Sequence, residues 1–84
     1  MIPNGSDETV HITKRVKVTW RNKNPFVYDI RYMMMSSEAY VPGDMDFKTI
    51  EDFAREATPE GFCLKSIDEA GKIYQYDYNG DKVQ

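Results

Sequence analysis

Residues 10–21 read VHITKRVKVTWR. Val10, Ile12, Val16, Val18 and Trp20 share one parity, and only Lys14 breaks that row. His11, Thr13, Arg15, Lys17, Thr19 and Arg21 share the other. A period of two with β-branched residues on one side predicts a strand with one buried face. A strand of this kind needs partners and a covering layer, and the remaining chain offers both. RNKNP (21–25) is turn-rich and links to a second alternating run at 26–35. There Phe26, Tyr28, Ile30, Tyr32 and Met34 point one way. SSEAYVPGD (36–44) then reads as a loop.

The period changes at DFKTIEDFAREA (46–57). Phe47, Ile50, Phe53 and Ala57 fall near one helical face, with Ala54 beside them. Asp46 is a candidate N-cap, as is Thr49 paired with Asp52 in a capping box. Pro59 and Gly61 stop the helix. FCLKSI (62–67) is a third strand, DEAG (68–71) a turn and KIYQYDY (72–78) a fourth strand. The expected fold is α+β: one small domain, β-β-α-β-β, an antiparallel sheet with one helix packed on one face. Residues 1–9 are expected to form a flexible N-terminal arm, and 10–84 the domain.

With 84 residues the chain is near the lower end of what folds on a hydrophobic core alone. Its single cysteine excludes an internal disulfide and a cysteine-based metal cage. A reducing, cytoplasmic setting is expected. No run suits a transmembrane helix, and the first residues lack the features of a signal peptide. Asn4-Gly5-Ser6 matches a glycosylation acceptor only formally.

Chemistry-bearing residues are sparse. His11 has no sequence partner and reads as a solvated strand residue. Cys63, between Phe62 and Leu64, reads as a packed thiol. Together they are the only candidates for an enzyme. Asp44, Asp46 and Glu51 could hold a divalent ion, but a solvated helix start explains them as well. Asp77–Asp81 places its glycine too early for a calcium loop. No catalytic residue, metal or cofactor is expected.

Charge is segregated instead. Lys14, Arg15, Lys17, Arg21, Lys23 and Arg31 face a single acid, Asp29, between positions 14 and 31, whereas the rest of the chain is acidic and the formal net charge is −3. The first hairpin should be positive, and the helix and second hairpin negative. Exposed methionines adapt to irregular surfaces, so Met33 and Met35 form a candidate patch with Val27 beside Arg31. Tyr74, Tyr76 and Tyr78 share one strand face and should pack inward with their hydroxyls at the margin. Tyr78, next to Asn79-Gly80, is the tyrosine most exposed to a partner.

KTIEDFAREATPEGFCL (48–64), following a hairpin, resembles small phage-encoded host-takeover inhibitors of the kind that block bacterial RNA polymerase. Pro59-Glu60-Gly61-Phe62 matches their strand-entry turn and Thr49-Ile50-Glu51-Asp52 their helix start. The second hairpin departs from that pattern. The resemblance implies a class: a protein without catalysis that binds and blocks a bacterial protein, in the host cytoplasm if phage-encoded.

The expected function is therefore a non-enzymatic protein-interaction domain. Arg15, Lys17, Arg21, Arg31, Met33, Met35, Tyr74, Tyr76 and Tyr78 are its candidate partner-binding residues. An edge strand, the first or the fourth, offers a route to a homodimer. The alternative is a nucleic-acid-binding module using the basic first hairpin. No membrane partner is expected.

Overall fold

A computed structural model of the chain describes residues 12–83, so the expected arm and His11 lie outside the described residues. The chain runs β1 (Thr13–Asn22), α1 (Ile30–Met33), β2 (Met34–Pro42), α2 (Phe47–Glu56), β3 (Phe62–Glu69), β4 (Lys72–Tyr76) and β5 (Lys82–Val83). The five strands form one sheet of order β2-β1-β3-β4-β5, with every neighbouring pair antiparallel. The α+β class is as expected; α1 and β5 are additional short elements.

The alternation in β1 decides the layering. Val16, Val18 and Trp20 are buried, and Lys17 between them is exposed. Because β2 and β3 both run antiparallel to β1, they run parallel to each other on either side of it. Such a pair cannot be joined by a tight turn and requires a crossover. α2 is that crossover. Ile50 and Ala54 on its inner face join Val16, Val18, Trp20, Leu64, Ile67 and Tyr76 in the core. Asp46 caps α2, its carboxylate accepting from the Thr49 N–H at 2.9 Å. Lys14, the one charge on the inward parity, is only 17% exposed. Its ammonium donates to the Met45 carbonyl and to Glu69 Oε2, both at 2.6 Å, and closes the margin of the core.

The second strand lies further along the chain than the alternation at 26–35 suggests. Phe26, Tyr28, Ile30 and Tyr32 are all exposed, Tyr28 by 84%. Asn22 Oδ1 and Asn24 Oδ1 accept from the Asn24 and Phe26 N–H groups, and Asn22 Nδ2 donates to the Tyr32 carbonyl. These local bonds hold a wide loop in place of a strand. Asp29 then caps the single turn of α1. The segment expected to be a loop supplies β2, pairing Trp20 with Met35 and Thr13 with Pro42. β2 is an outer edge with almost every residue exposed, so no apolar alternation marks it.

The strands proposed for dimer contact differ in place. β1 is flanked by β2 and β3 and has no free edge, whereas β5 pairs only with Gln75 and Tyr76, so among the described residues β4 keeps an unpaired edge over residues 72–74 and β2 is the long edge on the other side.

The β3–β4 turn is Ala70-Gly71, with both φ positive at 51° and 97°, as a two-residue type I′ hairpin demands. The Ala70 N–H also donates to the Arg15 carbonyl at 2.8 Å. Alanine pays a steric cost in this region that glycine does not. Ala70→Gly is expected to stabilise the domain by about 1 kcal/mol, read as a raised midpoint in urea unfolding with an unchanged m-value.

Candidate functional site

The sheet has two unlike faces. On the covered face, α2 is pinned by polar bonds as well as packing. Trp20 Nε1 donates to the Ala54 carbonyl at 3.1 Å, and the Tyr76 hydroxyl donates to Glu51 Oε2 at 2.6 Å. At the far end, Arg55 Nη1 donates to the Gly80 carbonyl at 2.9 Å, tying α2 to the β4–β5 turn. All three attachments seat α2 over β1, β3 and β4. Towards β2 the helix leaves a groove of about 160 Å³. Ser37 and Ala39 of β2 line it together with Val41, Met45 and Phe53, and among the described residues no lining residue is charged. Phe53 is 58% exposed there because β2 offers only small side chains opposite it.

On the open face, register places Arg15 beside Tyr40, Lys17 beside Glu38 and Asp68, Thr19 beside Ser36 and Ser66, and Arg21 beside Met34 and Cys63. The pairing of β1 with β3 shifts between Thr19 and Trp20, whose partners are Ser66 and Leu64. Lys65 is the extra residue of this bulge. Strict alternation would place it opposite to Ser66. The bulge instead lets both share the open face, where they line one cleft with Lys17, Thr19 and Ser36. Lys65 also lines the adjoining cleft with Arg21, Asn22, Asn24, Met33, Met34 and Tyr78.

Arg21 organises that second cleft. Its Nη2 donates to the Tyr76 carbonyl at 2.9 Å, and its guanidinium lies 4.3 Å from the Tyr78 ring centroid. Its Nε is buried and has no hydrogen-bond partner among the described residues.

The structure divides the candidate residues among these surfaces. Arg15, Lys17 and Arg21 share the open face, as their parity predicts, with Arg15 paired to Glu38. Arg31 is held by Asp29 through contacts of 2.6–3.2 Å, which raises its own pKa and lowers that of Asp29. Met33 belongs to α1 and Met35 to β2, opposite Trp20, so the two do not share the expected strand face. Tyr74 is half-buried and stacks on Phe47 at 3.9 Å. Tyr76 is a core residue, 2% exposed, and is withdrawn from the contact residues. Tyr78 is 81% exposed. Trp20 and Tyr28 lie away from the basic face, the first in the core and the second in the loop. Lys65, Ser36 and Ser66 were not legible as site residues, because a bulge and an edge register carry no local sequence mark.

Asp46 is occupied as the cap of α2 and Glu51 by Tyr76, so these acids serve the helix. Among the described residues no group of three or more His, Cys, Asp or Glu is placed to hold a metal ion. Cys63 is buried, its Sγ 3.5 Å from the Tyr78 carbonyl. Among the described residues no helix is long and apolar enough to cross a membrane. Compared with known proteins, the chain matches no family model, no curated protein and no solved structure.

Burial, and then the hydrogen bond to Glu51, push the Tyr76 hydroxyl well above the usual tyrosine pKa. A raised folded pKa contributes stability that is intact below about pH 10 and is lost as pH rises beyond it. Tyr76→Phe is expected to cost about 1.5–3 kcal/mol at neutral pH, since it leaves Glu51 without its donor. The gap in Tm between the two proteins should narrow above about pH 10, where ionisation of the freed wild-type phenol favours the unfolded state; thermal melts from pH 7 to 11.5 check this.

Proposed function

We propose that this chain is a non-enzymatic protein-interaction domain that takes an extended segment of a partner protein along the free edge of β2. The observation that carries the reading is the edge itself. β2 runs for nine residues and, among the described residues, pairs on one side only. Natural edge strands are usually protected by lysines, prolines, bulges or inward charges, and the one proline of β2, Pro42, is its last residue. β2 has no lysine, its pairing with β1 has no register shift, and its one charged residue, Glu38, is bound to Arg15. An added strand would complete the backbone ladder of β2. Its alternate side chains would enter the uncharged groove beside Phe53, so apolar residues at every second position are the matching chemistry. Binding of this kind blocks by occlusion, the mode implied by the resemblance to phage inhibitors; a bacterial partner follows from that resemblance alone.

Panning a random peptide library on the chain tests the reading. Enriched peptides should alternate apolar residues, perturb the amide resonances of residues 34–42, and lose at least tenfold in affinity to Ala39→Leu, which fills the groove floor. A doubled mass in sedimentation with the same perturbations would make the occupant a second copy. Peptides that bind without these perturbations, or that tolerate Ala39→Leu, would overturn it.

A further inference from the structure

The open face carries a feature that the β2 edge does not use. We propose that Arg21, Lys65 and Tyr78 form a short binding track for single-stranded nucleic acid. Phosphate recognition needs cations not already neutralised, with hydroxyl or amide donors beside them. Among the described residues, Lys17 and Lys65 form no ion pair. Arg21 is likewise in no ion pair, its Nη2 donating to a neutral backbone carbonyl, so its charge is not neutralised by a carboxylate at hydrogen-bond distance. The hydroxyls of Thr19, Ser36 and Ser66 line the cleft that Lys65 shares with Lys17.

The bulge is the second observation. It sacrifices regular pairing at mid-sheet and sets Lys65 at the junction of two clefts of about 340 and 360 Å³. Both lie near the small end of ligand sites, which span about 300–1,000 Å³. Two adjoining clefts with one shared cation suit a repeating anion better than a single one. Tyr78 supplies the third element. One face of its ring carries the Arg21 guanidinium, and with 81% of the residue exposed the ring is open to stacking. An unpaired base stacks on such a ring, whereas a duplex keeps its bases inside.

The track is short. Glu38 and Asp68 flank Lys17 on the same face, and Asp77, whose carboxylate feels the Arg21 charge and accepts from the Asn79 and Asp81 N–H groups, lies at the Arg21 end. Glu38 is engaged by Arg15, and Asp68 accepts from the Gly71 N–H. Two to three phosphates are what the face can neutralise.

Fluorescence anisotropy with labelled dT12 and U12, and with a duplex of equal length, tests this between 20 and 200 mM NaCl. The single strands should bind at low salt, with a log–log salt slope of roughly −1.4 to −2.1 for two to three contacts. Lys65→Gln should weaken binding and flatten that slope by about 0.7. Tyr78→Ala should weaken binding about tenfold with the slope unchanged. Ala39→Leu, on the other face, should change neither, which separates this site from the β2 edge. Absence of binding at 20 mM salt, tighter binding of the duplex, equal competition by oligoglutamate, or indifference to both Lys65→Gln and Tyr78→Ala would each overturn the proposal.

Discussion

The seat of α2 on the sheet is the interaction on which the rest of the structure depends. Trp20 stands at its centre. The indole is 6% exposed, packs beneath Ala54 and donates to that residue's carbonyl. A buried indole N–H without an acceptor would be costly, so packing and polar satisfaction select the same helix position. Glu51 and Arg55 extend the attachment to β4 and the following turn. In a chain this small, few other contacts could replace that layer.

The position of the helix also determines what is left uncovered. A single helix of ten residues cannot span five strands. Anchored over β1, β3 and β4, it leaves a shallow apolar groove beside β2, which the strand order makes an edge among the described residues. The opposite face has no second layer among the described residues. There the bulge at Lys65 and the stacked pair of Arg21 and Tyr78 break an otherwise regular strand surface. The two proposed contacts thus arise from one constraint: a sheet wider than its only covering helix.

Legibility in the sequence followed burial. β1, α2, β3 and β4 bury one face each, and their periods of two and 3.6 were readable to within a few residues. The Asp46 cap and the Ala70-Gly71 turn were readable for a different reason, because local geometry demands particular residue types there. β2 failed on both counts. It buries almost nothing, while Phe26, Tyr28, Ile30 and Tyr32 imitate a strand although the Asn22 and Asn24 side chains fold them into a loop. The tyrosine stripe divided in the same manner: Tyr74 and Tyr76 pack beneath α2 and Phe47, and Tyr78, beyond the end of β4, turns outward to Arg21.

By itself, then, the sequence determined the class of fold, the inward and outward faces of β1, the span of the covering helix and the concentration of positive charge in the first third of the chain. These are local or periodic properties, and the pattern of side chains along a short stretch is sufficient to specify them. Only the tertiary structure decided which strand became the edge, where the helix left a groove, and how Lys17, Arg21, Lys65 and Tyr78 came to lie together. Those depend on strand order and on a one-residue shift in register between β1 and β3, and pairing between distant segments leaves no periodic trace in either partner.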